Sequence, residues 1–283
     1  MNMFTQLSER LENDAEVKHD VPMKNYTTLK VGGNADFLIV PNNVNKIVTC
    51  VRVCEALNLS VYIIGHGSNL IVADRGIRGA VIHIGRHCNK AAVNGNIITA
   101  EAGAYIPTLV SIAMKYKLKG IEIVTGIPGN LGGAIYMNAG YTKPISGIIK
   151  SVTVLRDFNV VKLNRDEMSF GHRKSPFQYN DDIILSAELQ LEPGDIKKVV
   201  HEYILNRKIK QPLHYPNCGS VFKKPGRLVY ELKGISSGGA KYEKGFILNT
   251  GEATAKDIVD VIEIVRSRVK RRLVLEAELM GDF

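Results

Sequence analysis

The sequence predicts an α+β protein built as two packed units. Three observations point there: helical and strand periodicities alternate through the first part of the chain, strands dominate the middle, and the pattern changes after Pro193-Gly194. The length of 283 residues, 45% hydrophobic and 23% charged, is enough to bury an ordinary core and long for a single one.

Taken in order, residues 43 to 58 place Val44, Ile47, Val48, Val51 and Leu57 at helical spacing, and a short apolar strand is predicted at 61 to 64. Further strands are predicted at 80 to 84, 97 to 101, 152 to 156 and 182 to 191, with a helix near 106 to 118. Past Gly194, Asp195 is placed to cap a helix carrying Ile196, Val199, Val200, Tyr203 and Ile204 on one face. The expected domain boundary falls here, giving 1–193, itself two α+β subdomains split near 85, and 194–283. The last third reads as a turn-rich stretch, a helix opened by Thr254 with Asp257 three residues on, and a closing strand, LVLEAELM. Apolar positions 258, 261, 262, 265 and 269 mark that helix's buried stripe.

Composition narrows the function. No run approaches the roughly 18 apolar residues of a membrane span, and the start lacks a basic region followed by an apolar one, so a cytoplasmic protein without membrane contact is expected. Cys50, Cys54, Cys88 and Cys218 show no zinc-ribbon or CxxC spacing and read as reduced thiols, the first two on a buried helix face. A formal net charge of +9 favours anions. The densest basic run, Arg266 to Arg272, lies at a helix end where cations suit the dipole, and without tryptophan or interleaved aromatics nucleic-acid binding is not expected. His83 and His87 straddle Gly85 rather than one helix face, and no metal is assigned.

Two glycine segments carry the chemistry. Gly65-His66-Gly67-Ser68-Asn69-Leu70 follows a strand, so its backbone N–H groups can approach a phosphate while Ser68 and Asn69 add polar groups. Leu70 stands where a dinucleotide fingerprint needs its third glycine, and the turn-like IVADRG that follows argues against a βαβ unit; a plain turn between strands is the alternative. In the second segment, Thr125-Gly126-Ile127-Pro128-Gly129-Asn130-Leu131-Gly132-Gly133-Ala134, glycine density and scarcity of charge suit backbone packed against a flat ligand. A close approach of two helices through the glycine pair is the other reading.

Together, NYTTLKVGGNADFLIVP (25 to 41), GHGSNLIVADRGIRGAVI (65 to 82), TGIPGNLGGAIYMNAG (125 to 140), FGHRKSPF (170 to 177), KQPLHYPNCGSVFKKPG (210 to 226), GFILNTGEATAKDIVDVI (245 to 262) and LEAELMG (275 to 281) resemble the UDP-N-acetylenolpyruvoylglucosamine reductase (MurB) family, in order and over nearly the whole chain. The chain looks like the shorter class, which lacks a Tyr-bearing insertion. The resemblance implies an FAD-binding domain of the vanillyl-alcohol-oxidase (PCMH) type over 1–193 and a smaller α+β substrate domain over 194–283. It also implies noncovalent FAD, NADPH as reductant, and a UDP-sugar enolpyruvyl ether of peptidoglycan precursor synthesis as substrate, in a chain expected to be a monomer.

By the same resemblance, Gly65 to Leu70, Thr125 to Gly129 and Gly132 to Ala134 bind the cofactor. Ser220 donates a proton, Arg173 and Glu278 meet the substrate carboxylate, and Lys210 binds substrate. Spacing alone leaves Glu276 and Glu278 equivalent; Glu278 matches the second acid of the family's pattern. His66 raises a covalent flavin link, but wider relatives that form one carry their His where this chain has Ser68. The chain departs from the pattern at His172, usually Tyr, at Lys224, usually Asn, in a shortened stretch from Gly226 to Gly245, and in lacking a His before Gly245. Another FAD oxidoreductase of small acids and a noncatalytic flavin-binding regulator remain the rival readings.

Overall fold

The computed structural model describes residues 2–270 and 272–283, so Arg271 of the basic run lies outside the described residues. The chain runs α1 (Met3–Leu11), β1 (Ala15–Pro22), β2 (Asn34–Pro41), α2 (Ile47–Ala56), β3 (Val61–Ile64), β4 (Leu70–Val72), β5 (Ile77–His83), β6 (Ala91–Asn94), β7 (Ile97–Glu101), α3 (Ile106–Lys115), β8 (Leu118–Lys119) and α4 (Leu131–Tyr136). It continues through β9 (Ile149–Arg156), β10 (Asn159–Asn164), β11 (Ile183–Gln190), β12 (Glu192–Pro193), α5 (Lys197–Lys210), β13 (Asn217–Ser220), α6 (Arg227–Glu231), β14 (Ser236–Ser237), β15 (Ala240–Glu243), β16 (Phe246–Asn249), α7 (Ala255–Ser267) and β17 (Glu278–Met280). The sheets are ordered β1-β2-β5-β3, β10-β9-β11-β7-β6 and β13-β16-β15-β14, with two-stranded pairs β12-β8 and β17-β4.

Contacts divide the chain into two compact units, one of Met1–Val17, Ile39–Gly65 and Ile82–Arg207, the other of Lys18–Leu38, His66–Val81 and Lys208–Phe283. In the first, the antiparallel five-stranded sheet receives α4 against β7 and β11. Its β9–β10 hairpin turns through Asp157 and Phe158, both at positive φ (47° and 60°), the backbone hand that two-residue hairpins favour. Helix α2 buries Ile47, Cys50 and Cys54 along one side. Burial pushes both thiols up to about 12, and Cys88 up to about 11, so they pack as small apolar groups.

In the second unit, α7 covers β14 and β15, burying Ile258, Val261, Ile262 and Val265 in a core with Phe222, Val229, Tyr242 and Ile247. Its start is doubly capped: Thr254 Oγ1 accepts from Asp257 N, and both Asp74 carboxylate oxygens accept from Ala255 N (2.8 Å) and Lys256 N (2.9 Å). The predicted stripe of this helix is present in full, with Val269 just beyond it also buried.

Three expectations need correction. IVADRG is not all turn, because Ile71 and Val72 form β4, which lies parallel to β17 with Leu70 opposite Glu278. LVLEAELM is a strand only over its last three residues; the preceding stretch pairs with Val221–Lys223 through the isolated bridge of Phe222 with Leu275 and the hydrogen bonds Lys223 N to Val274 O and Glu276 N to Val221 O. Asp195 does cap α5 (Lys197 N to Oδ1, 2.9 Å), yet of the predicted face only Ile196 and Val200 are buried and Ile204 is 40% exposed.

Candidate functional site

In the first unit, β3 delivers Gly65, whose Cβ position lies 3.5 Å from the amide of buried Asn130. Asn130 Nδ2 in turn donates to Ile84 O (2.9 Å), which fastens the second glycine segment beside the end of β3. Gly126 has φ +80°, and a side chain there would press on Arg207, whose Cδ and Nη1 lie 3.0 and 3.1 Å from the Cβ position. Leu131 N and Gly132 N, at the start of α4, donate to Ala104 O and Ala102 O (2.9 and 2.8 Å), and Gly132 packs on the Ala102 methyl. Gly132 therefore lets α4 approach the residue that follows β7, not a second helix. Gly133 faces open space, and Thr125 Oγ1 is buried with no hydrogen-bond partner.

The same helix leads to the turn that holds Arg173. Gly171 and Lys174 exchange both backbone hydrogen bonds (3.0 and 3.2 Å), which puts exposed His172 and half-buried Arg173 at the tip, Arg173 at φ +54°. Arg173 Nη1 reaches Asn138 O at 3.5 Å. Asn138 is buried, and its Nδ2 donates to Gly171 O at 2.7 Å.

In the second unit, Gly67 at φ +66° must be glycine, since a Cβ would lie 2.0 Å from Tyr26 O. Burial and neighbouring Lys30 both push the His66 imidazole below its usual value, favouring a neutral ring. Asn69 does not point freely out of the loop: its Nδ2 donates to Glu276 O and its carbonyl accepts from Glu278 N, both at 2.9 Å. Ser220 closes β13 at a break in register with β16, just after Gly219 at φ +82°, a local kink of the kind that re-aims a side chain. The neighbouring Val221 O accepts from Glu276 N at 2.7 Å. Ser220, Glu278 and the Asn69 loop thus lie on adjoining segments, although the first two are far apart in sequence.

Burial raises the Glu278 carboxyl above the ordinary Glu value, with Lys223 pulling it down. Glu276 instead contributes to raising the buried Cys218 thiol. Lys210 ends α5 as an exposed cation. Lys224, at φ +47°, holds a conformation in which the family's usual Asn is more at home. Asn138 and Lys223 escaped sequence reasoning, although the first sits in the quoted NAG run and the second in the quoted GSVFK run. Among the described residues, no group of three or more His, Cys, Asp or Glu could hold a metal ion, and no helix is long and apolar enough to cross a membrane.

Residues 35–161 match the FAD binding domain model, and residues 211–279 match the model of the UDP-N-acetylenolpyruvoylglucosamine reductase C-terminal domain. The UDP-N-acetylenolpyruvoylglucosamine reductase of Clostridium novyi (strain NT) is 38% identical over 283 residues, 95% of this chain and 92% of its own. This chain belongs to the UDP-N-acetylenolpyruvoylglucosamine reductase family. A solved family member, from Thermus caldophilus, superposes with a TM-score of 0.80 at 30% identity, over 94% of this chain and 99% of its own. Alkyldihydroxyacetonephosphate synthase shares only the fold, at TM-score 0.53 and 14% identity over 68% of this chain and 41% of its own. In this reductase-family chain, Gly65 to Ala134 fall within the FAD match, Ser220 and Glu278 within the C-terminal match, and Arg173 between the two. The first-unit residues fit a flavin nucleotide: Thr125 carries a buried hydroxyl without a partner, Gly126 bends the backbone, and Gly133 leaves room where a side chain would stand.

Proposed function

We propose that the chain reduces UDP-N-acetylenolpyruvoylglucosamine to UDP-N-acetylmuramate, with NADPH as the electron source and FAD held noncovalently. The observation that carries this reading is the stitching of Ser220, Glu278 and the first glycine loop onto adjoining segments within a chain of the reductase family. Gly65 to Leu70, Thr125 to Gly129 and Gly132 to Ala134 are the residues that would hold FAD, through backbone N–H groups and the Thr125 hydroxyl. When bound and reduced, FAD supplies the hydride for the enolpyruvyl double bond.

The chain's own groups handle the charge and the proton. Reduction beside a carboxylate builds negative charge on the adjoining carbon, so stabilisation must be strongest at that moment. The planar Arg173 guanidinium suits two-point binding of the substrate carboxylate. A half-buried Glu278, whose partial desolvation raises its carboxyl above the ordinary Glu value against the pull of Lys223, can in its protonated form share the developing enolate charge instead of repelling it. Ser220 then gives its hydroxyl proton to the carbon. A serine hydroxyl is a weak acid, so Glu278 and Arg173 must hold the charge without removing the carbon's basicity, and the proton that Ser220 gives up is replaced from solvent after the transfer. Lys210 is assigned to the substrate's anionic groups. One chain supplies every group named, which suits a monomer, and a UDP-linked substrate with NADPH as reductant suits a cytoplasmic reaction.

Replacing Ser220→Ala tests the assignment. The variant is expected to bind FAD and be bleached by NADPH at the native rate, while substrate-driven reoxidation falls by at least about 10²-fold, the range for removing a general acid. Native reoxidation in that variant excludes Ser220 as the proton donor.

A further inference from the structure

Arg173 occupies a backbone conformation that turns ordinarily give to glycine or asparagine. A turn made for shape alone has no reason to carry arginine there, and such a conformation persists only where surrounding contacts over-determine it. Those contacts converge from one place, the last turn of α4 and the two residues after it. Asn138 Nδ2 donates to Gly171 O (2.7 Å), its Oδ1 accepts from Ser146 N (3.1 Å), and its own carbonyl lies 3.5 Å from Arg173 Nη1. Gln178 Nε2 donates to Tyr136 O (2.7 Å) and to Arg173 O (3.3 Å). Ser175 Oγ, buried, donates to the same Tyr136 carbonyl at 2.6 Å. Asn138 itself has φ +43°, which aims its side chain and its carbonyl at the Arg173 turn together.

We propose that Asn138 and Gln178 are positioning residues for Arg173, tying the guanidinium that meets the substrate carboxylate to the glycine helix of the flavin segment. The tie gives the reaction a fixed reference: the turn that carries the charge-binding group is registered on the same short helix whose Gly133 leaves open space in the flavin segment. This rests on Arg173 contacting the substrate carboxylate. Neither residue touches substrate on this reading; each acts through Arg173, and a small misplacement of such a group is enough to slow the chemistry.

The test is a double-mutant cycle on the FAD-loaded enzyme, following flavin reduction by NADPH and reoxidation by UDP-N-acetylenolpyruvoylglucosamine separately. Asn138→Gly suits the positive φ, so it removes the side chain without straining the backbone. It is expected to leave FAD content and NADPH reduction unchanged and to slow reoxidation by about 10- to 100-fold. In an Arg173→Lys background it adds no further loss. If Asn138→Gly fails to fold or loses FAD, Gln178→Met enters the same cycle with the same expectation. Losses that multiply with Arg173→Lys, or native reoxidation in the single variant, overturn the proposal. If Arg173→Lys alone reoxidises at the native rate, the role of Arg173 falls first; if it is slow and the positioning variants are not, only this inference falls.

Discussion

Glu278 is a carboxylic acid in a place that favours its neutral form, because burial outweighs the pull of Lys223. With a folded value above the unfolded one, Glu278 contributes fully below the unfolded value of about 4.5, and that contribution is lost as pH rises through the raised folded value. Glu278→Gln stays neutral throughout. Its melting temperature relative to the native chain is therefore expected to climb as pH is raised from below 4.5 to neutrality, and a difference that stays flat would contradict the buried setting. At the same scale, Glu276 and Glu278 look alike in sequence but differ in surroundings: one adds charge beside Cys218, the other is desolvated beside Leu70 on β4. That contrast supports Glu278 as the acid of the proposed reaction.

Among the elements, α7 shows local and tertiary signals agreeing. Its Thr254 and Asp257 box closes both ends of the capping exchange (3.1 and 2.9 Å), and its apolar stripe is buried. Thr254→Ala is expected to cost about 1 kcal/mol, read as a lowered denaturation midpoint with FAD content unchanged. A cost near zero would mean that Asp74 alone suffices as the cap. Elements of this kind were legible because helical spacing, caps and short apolar runs are local: β3 and β7 match their predicted spans, and α2, α3 and β11 fall inside theirs. β4 was not legible, since Ile71 and Val72 become a strand only by pairing with Leu279 and Met280 from the far end of the chain. The Arg173 turn was hidden for a similar reason: its hold comes from Asn138 and Gln178, and no periodicity announces a side-chain bond to a backbone carbonyl. Ser220 and Glu278 were reached through family resemblance, because spacing contains no trace of the Val221 to Glu276 pairing that joins their segments.

For the molecule as a whole, each compact unit draws on three separated stretches of chain, a grouping without any local sequence signal. The net charge of +9 suits a substrate carrying a diphosphate and a carboxylate. On the proposed reading this chain passes electrons from NADPH through bound FAD to an enolpyruvyl ether. The most direct test is one anaerobic visible spectrum of the purified protein, taken before NADPH, after NADPH, and again after UDP-N-acetylenolpyruvoylglucosamine. The account expects an oxidised flavin spectrum that NADPH bleaches and the substrate restores, with free FAD released on acid precipitation. A folded protein that takes up no FAD, or a bleached flavin that the substrate leaves reduced, would contradict it.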